Sequence, residues 1–241
     1  MFKRAAARES DLSFVAVVTY GRTGSTVIQS AMNALPGVLV RGENYGAIRG
    51  LRDYVQAIAE TDDRHSAGKP DHPWYGSARL DPAAILVDLR RHVIEFVLRP
   101  NRDTTVIGFK EIRYEPGHFA EYDNLLDYLL FLNKLFPGMR FLMNVRDAAG
   151  AARSGWWPNN EQALEVLETT RAWLVDAVTD LNRILGTDRA VLVDYEAWTA
   201  DPQVLIDAFT AMGLPRDDAA VRAIATTRLE HGPHGTDDDA V

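Results

Sequence analysis

The sequence of 241 residues contains no cysteine, and this absence excludes disulfide bonds, thiolate metal sites and cysteine nucleophiles. It contains no apolar run approaching the roughly 18 residues of a membrane span, and charged residues interrupt the apolar stretch at the N-terminus. Positive charge is also scarce, because 26 lysines and arginines face 34 acidic residues, for a net charge of −8. These features predict a cytoplasmic protein that binds neither nucleic acid nor membranes. Any anionic ligand would be held by a local cluster of basic side chains.

The residues that are present predict one α/β domain over residues 1–241. Apolar runs typical of strands covered on both faces occur at 14–19, 38–40, 105–109, 140–145 and 190–194. Segments with helical spacing lie between them, at 25–35, 46–60, 82–98, 121–136 and 161–185. Asp81-Pro82 and Asp201-Pro202 predict helices that open at residues 82 and 202. The alternation predicts three layers, with helices on both sides of a mostly parallel five-stranded sheet.

A glycine-containing loop at 20–26, Tyr-Gly-Arg-Thr-Gly-Ser-Thr, joins the first predicted strand to the first predicted helix. Unpaired backbone N–H groups and the positive end of the helix dipole make such a junction a site for anions. The loop lacks the lysine of the Walker A motif, Gly-x-x-x-x-Gly-Lys-Ser/Thr. Arg22 supplies the positive charge from within the loop instead, so we expect a phosphate-like ligand bound in a different way.

Polar residues follow four of the five predicted strands. Arg22 comes after the first strand, Lys110 after the third, Arg146 after the fourth and Tyr195 after the fifth. In parallel sheets of this kind, ligands bind beyond the carboxyl ends of the strands. The pattern therefore predicts that these four side chains converge on one binding site.

Three motifs, in this order, resemble those of sulfotransferases that use 3′-phosphoadenosine 5′-phosphosulfate (PAPS). The loop at 20–26 is similar to their 5′-phosphosulfate loop. The run at 141–154 is similar to their 3′-phosphate element, in which a serine follows eight positions after an arginine, as Ser154 follows Arg146. Val-Leu-Val-Asp-Tyr-Glu-Ala-Trp at 191–198 resembles their last strand. The resemblance covers nearly the whole chain, is nearest to bacterial carbohydrate-type and tyrosylprotein sulfotransferases, and implies a P-loop-like α/β fold.

The resemblance implies that the residues matching these motifs bind PAPS: Arg22, Thr23, Gly24, Ser25, Thr26, Arg146, Ser154 and Tyr195. The sequence departs from the family pattern in two places. Related enzymes often carry another arginine a turn beyond the serine, and Pro158 lies near that position here. The C-terminal loop that contacts the nucleotide has only one candidate, at 228–232.

The resemblance also implies catalytic roles for Glu43, Lys110 and Arg22. Glu43, in Gly42-Glu43, matches the position of the catalytic base of tyrosylprotein sulfotransferases, and Lys110 resembles the catalytic lysine of the family. A carboxylate can take the acceptor proton, while cations stabilise the charge that builds on the leaving oxygen. Glu111 is the main competing base, and His118 is a further alternative.

We therefore expect an enzyme that transfers a sulfuryl group to a hydroxyl of a carbohydrate or small natural product, without a metal ion. An atypical P-loop kinase or nucleotide hydrolase, and a non-catalytic nucleotide-binding protein, are the alternatives. Residues 61–80 predict a long mobile loop on the acceptor side, in which Trp74-Tyr75 either cover the acceptor or pin a surface loop. The acidic tail at 232–241 predicts disorder, and no feature of the sequence indicates an oligomeric state.

Overall fold

A computed structural model describes residue 9, residues 11–64 and residues 69–226. In this part of the chain, five strands form one parallel sheet in the order β2-β3-β1-β4-β5. The strands are β1 (Ser13–Val18), β2 (Val38–Arg41), β3 (Val106–Glu111), β4 (Arg140–Val145) and β5 (Ala190–Asp194). Because β1 lies between β3 and β4, the segments that follow these three strands emerge side by side at one edge of the sheet.

Helices surround this sheet within the described residues. They are α1 (Ser25–Asn33), α2 (Ala47–Asp62), α3 (Pro82–His92), α4 (Tyr122–Leu135), α5 (Ala148–Ala152), α6 (Ala163–Leu185), α7 (Tyr195–Ala200), α8 (Gln203–Ala211) and α9 (Asp218–Ala225). A π-helical segment, Val93–Leu98, continues α3, and 3-10 turns lie at Ser77–Arg79 and Trp157–Asn159. Among these helices, none is both long and apolar enough to cross a membrane.

The core has two parts, one on each face of the sheet. In β1, Phe14, Ala16 and Val18 point into a cluster with residues of α4 and α6, whereas Val15 and Val17 pack with residues of α1 and α8. The alternation follows from the two-residue period of a strand, and both sets are buried because helices cover both faces. The predicted α/β fold with a central parallel sheet between helical layers is confirmed.

Several boundaries differ from those predicted. β3 runs through Lys110 and Glu111 rather than ending at residue 109, and α3 gives way to the π-helical segment at residue 93. α8 begins at Gln203 rather than residue 202, although the Asp201 side chain accepts the Gln203 N–H at 2.9 Å. α5, α7 and α9 were not predicted. α7 begins at Tyr195 directly after β5, which leaves no loop between strand and helix.

The segment predicted as a loop at 61–80 is partly helical. α2 extends to Asp62, and the 3-10 turn covers residues 77–79. Trp74 and Tyr75 remain exposed, with the Arg64 guanidinium 5.4 Å from the centre of the Trp74 ring. The predicted tail at 232–241 and the candidate nucleotide loop at 228–232 lie outside the described residues.

Candidate functional site

A buried network of hydrogen bonds between hydroxyl and amide groups holds the loop after β1 in place. Thr19 Oγ1 donates to the Asn144 carbonyl at 2.6 Å and lies 2.7 Å from Thr23 Oγ1. The Asn144 side chain donates to the Thr23 carbonyl at 2.9 Å and accepts from the Trp198 indole N–H at 3.2 Å. Because buried polar groups are costly unless paired, this network specifies one loop shape. It also ties the hydroxyl of Thr23 to the loop itself.

Two residues of the loop have left-handed backbone conformations. Arg22 has φ 72° and Gly24 has φ 73°. For a non-glycine residue such as Arg22 this conformation costs about 1–3 kcal/mol, and strain of this kind is concentrated at functional sites. Gly24 caps α1 without a side-chain hydrogen bond, so the first N–H groups of the helix, at Ser25 and Thr26, face the loop without an intrahelical acceptor. The loop and α1 together form an electropositive cradle.

Aromatic rings line the outside of this cradle at both glycines. A Cβ atom on Gly24 would lie 2.7 Å from the Trp198 ring and 2.8 Å from the Tyr195 ring. A Cβ atom on Gly21 would clash with the Trp156 ring. The loop therefore requires glycine at position 24, where φ is also positive, whereas a side chain at position 21 would have to displace the half-exposed Trp156 ring.

Arg146, at the end of β4, joins the loop through its backbone and its side chain. The buried Tyr20 hydroxyl donates to the Arg146 carbonyl at 2.5 Å and accepts the Arg146 N–H at 2.8 Å. Burial raises the pKa of Tyr20 to about 12, so the hydroxyl keeps its proton. The Arg146 guanidinium donates to the Arg22 carbonyl at 2.7 Å and lies 4.3 Å from the centre of the Tyr195 ring. Its Nε is buried and, among the described residues, has no hydrogen-bond partner, with Glu196 at 3.6 Å.

The side chains of Arg22 and Ser154 contact each other directly. Arg22 Nε donates to Ser154 Oγ at 3.0 Å, and the Arg22 side chain packs so closely on Gly155 that a Cβ there would lie 2.6 Å from it. Two arginines and a serine from separate segments are thus linked in a chain of contacts, Arg146 to the Arg22 carbonyl and the Arg22 side chain to Ser154. Charged and hydroxyl donors of this kind suit an anion with several oxygens.

A second group of charges lies at the ends of β2 and β3. Lys110 Nζ is 2.5 Å from Glu43 Oε1, and Arg113 Nη1 is 3.0 Å from Glu43 Oε2. Lys110 is buried, whereas the Glu43 side chain is 32% exposed and can be reached by a ligand. The strand register pairs Lys110 with Val17 of β1, close to the start of the loop that follows β1. The two groups of charges therefore lie along the same edge of the sheet.

Glu111, the competing base, is enclosed by hydrogen-bond donors. Its Oε1 accepts from Ile112 N at 2.9 Å and Arg113 Nη1 at 2.8 Å, and its Oε2 accepts from the N–H groups of Asn44 and Gly46. Burial alone would raise the pKa of Glu111, but these backbone N–H groups and Arg113 outweigh burial and lower it. The lowered pKa keeps this carboxylate ionised, and at 4% exposure its oxygens are bound by donors of the protein itself.

His118 lies apart from the Glu43 carboxylate contacts. Its Nε2 is 3.4 Å from Glu115 Oε1, and its carbonyl accepts from Arg49 at 3.3 Å. Burial and the charges of Arg49 and Arg113 lower the pKa of His118. Burial raises the pKa of Glu115. Of the three candidate bases, Glu43 is the one that directly contacts Lys110.

Three features of the site were missed in the sequence. Arg113 binds both Glu43 and Glu111, the Tyr20 hydroxyl holds the Arg146 backbone, and Asn144 links β4 to the loop. The sequence did carry a signal for Arg113, because an arginine two positions after a charged strand end can pair with that charge. Trp157 is buried in the core, while Trp156 is half-exposed beside the loop. Within residues 9, 11–64 and 69–226, no three acidic or histidine side chains are grouped so that they could hold a metal ion.

Comparisons with known proteins give matches among solved structures alone. No family model and no curated protein matches the chain. The sulfotransferase domain of the olefin synthase of Synechococcus PCC 7002 aligns with a TM-score of 0.52 and 19% identity, over 86% of this chain and 75% of that one. The sulfotransferase domain of the curacin biosynthetic pathway aligns with a TM-score of 0.52 and 13% identity, over 90% of this chain and 78% of that one.

These likenesses define first a class of fold, the α/β fold with a central parallel sheet flanked by helices. Within that class, the chain has the fold of sulfotransferase domains. The resemblance first noted in the three sequence motifs is thereby confirmed at the level of the fold.

Proposed function

We propose that the chain is a sulfotransferase that moves a sulfuryl group from PAPS to a hydroxyl of a carbohydrate or small natural product. The observation that supports this most strongly is the arrangement along one sheet edge. A glycine-containing loop with two arginines and a serine lies beside a lysine–carboxylate pair, Lys110 and Glu43. The first group suits the phosphates of a nucleotide, and the second suits proton transfer next to a developing negative charge.

The residues fit a PAPS molecule on their own chemistry. Arg146 has a buried Nε without a hydrogen-bond partner among the described residues, and its guanidinium contacts Arg22, whose side chain in turn contacts Ser154. We assign the 3′-phosphate to Arg146 and Ser154, and the 5′-phosphosulfate to Arg22 and the backbone of residues 23–26. Tyr195, whose ring lies against the Arg146 guanidinium, would complete the nucleotide site. Thr23 contributes its backbone, because its hydroxyl is engaged within the loop.

PAPS, when bound, supplies an activated sulfuryl group on a phosphate leaving group. Glu43 accepts the proton of the acceptor hydroxyl, whose oxygen forms a new bond to sulfur as the bond from sulfur to the phosphate oxygen breaks. Lys110 and Arg22 stabilise the negative charge on that oxygen, and 3′-phosphoadenosine 5′-phosphate (PAP) is the second product. The transferred group bears less negative charge than a phosphoryl group, so in this proposal two cations and the loop amides are sufficient.

The proposal is tested by incubating the protein with PAPS and a metabolite extract and detecting sulfated products by mass spectrometry. We expect Glu43→Gln to lower the rate of product formation by about 10²–10⁴-fold, because it removes the base. Lys110→Ala should also lower the rate, and the exposed positions Glu60→Gln and Lys69→Ala serve as matched controls. Equal rates for Glu43→Gln and Glu60→Gln would contradict the assigned base.

A further inference from the structure

The carboxylate of Glu43 has two cationic partners of different kinds. Lys110 Nζ contacts one oxygen at 2.5 Å, and Arg113 Nη1 contacts the other at 3.0 Å. Within the described residues, Lys110 has no other carboxylate partner. Its ammonium is a point charge on a flexible stem, so it can turn toward another anion.

Arg113, by contrast, is held on three sides. The Nη1 atom that contacts Glu43 also lies 2.8 Å from Glu111 Oε1, and the guanidinium lies 4.2 Å from the centre of the Tyr45 ring. A planar guanidinium can contact two carboxylates through its edge while its face stacks on a ring, and an ammonium has no such face. Arg113 is therefore the fixed cation of the pair.

Glu111 anchors this arrangement to the backbone that carries Glu43. Its Oε2 accepts from Asn44 N at 3.2 Å and from Gly46 N at 3.0 Å, and these residues lie one and three positions after Glu43. The same buried carboxylate thus orients both the segment that bears Glu43 and the arginine that contacts it. Tyr45, between those two residues, has φ 57°, a strained conformation that needs such support.

The proposed function, on which this inference rests, asks Lys110 to face the leaving oxygen of the donor. Lys110 would then give up its contact with Glu43. We propose that Arg113 is the positioning residue that holds Glu43 in place when Lys110 turns from Glu43 to the bound donor. Arg113 itself contacts no reacting atom, and it acts through Glu43.

The test is a double-mutant cycle on single-turnover transfer from [35S]PAPS, with 4-nitrophenol and water as the acceptor probes. Arg113→Gln should slow transfer by about 10²-fold while leaving the Kd of PAP nearly unchanged, because the base is misplaced and the nucleotide site is not. Arg113→Lys should recover little of this loss. In the background of Glu43→Gln, the Arg113→Gln change should have no further effect. Arg183→Gln, which breaks an exposed ion pair with Asp180, is the matched control.

Three outcomes separate the inference from the proposed function. If Arg113→Gln slows transfer equally with and without Glu43, or weakens PAP binding as much as it slows transfer, the positioning role is wrong although the function stands. If Arg113→Lys is as fast as wild type, charge alone is sufficient and the role is again wrong. If wild-type protein does not bind PAP, or binds it and transfers to neither probe nor any compound of the metabolite extract, the proposed function fails and the inference fails with it.

Discussion

The hydroxyl of Tyr20 connects the loop after β1 to Arg146, and its removal by Tyr20→Phe gives a sharp prediction. The hydroxyl donates to the Arg146 carbonyl at 2.5 Å and accepts the Arg146 N–H at 2.8 Å. Each hydrogen bond contributes about 1 kcal/mol net, so the free energy of unfolding should fall by about 2 kcal/mol. For a chain of this length, that lowers Tm by roughly 4–8 °C.

Urea unfolding followed by circular dichroism measures this loss, with Tyr54→Phe as the control because Tyr54 lies half-exposed on α2. The control should stay within about 0.5 kcal/mol of wild type. Since burial raises the pKa of Tyr20 to about 12, the loss should be the same from about pH 6 to about pH 9. The Kd of PAP should also rise, because the backbone of Arg146 is no longer fixed. Tyr20→Phe as stable as Tyr54→Phe would refute this reasoning.

Further predictions concern the loop, the anchoring carboxylate and the 3′-phosphate. Gly24→Ala should abolish PAP binding in calorimetry, because its positive φ and nearby rings leave no room for a Cβ, whereas Gly50→Ala, with nothing within 4 Å, should bind normally. Glu111→Gln should lower the free energy of unfolding at pH 7 by about 1–3 kcal/mol. The lowered pKa of Glu111 means that wild type loses this advantage as the pH falls through that pKa, so unfolding curves of the two should converge in acid. Glu115→Gln should behave oppositely and gain relative to wild type as the pH rises, because the pKa of Glu115 is raised; parallel pH series check both signs. Arg146→Lys should weaken PAP binding while changing the affinity for adenosine 5′-phosphate little, and equal losses for both nucleotides would remove the 3′-phosphate from Arg146.

The order of the strands along the chain and the position of the loop could be predicted because both depend on local patterns. β1 is a continuous apolar run, and the spacing of apolar residues after Ser25 is helical, so strand, loop and helix were all visible. The predicted end of β3 was too early, because Lys110 and Glu111 are charged and charged residues are typical of loops. Their burial is tolerated because distant partners, such as Glu43, satisfy them.

The choice between Glu43 and Glu111 could not be made from sequence. Both are acidic residues near strand ends, and the difference between them comes from the N–H groups of Asn44 and Gly46, which folding brings onto Glu111. α9 was missed although Asp217 gave a signal, since its side chain caps the helix by accepting the Ala220 N–H.

The measurement that tests the central claim most directly is the effect of nucleotides on Tm. We expect PAP, without added metal, to raise Tm in a concentration-dependent way, corresponding to about 2.7 kcal/mol at 100 times its Kd. ATP with Mg²⁺ at the same concentration should have a much smaller effect, because it lacks the 3′-phosphate assigned to Arg146 and Ser154. A rise in Tm with ATP and Mg²⁺, and none with PAP, would contradict the account and favour a P-loop kinase or nucleotide hydrolase.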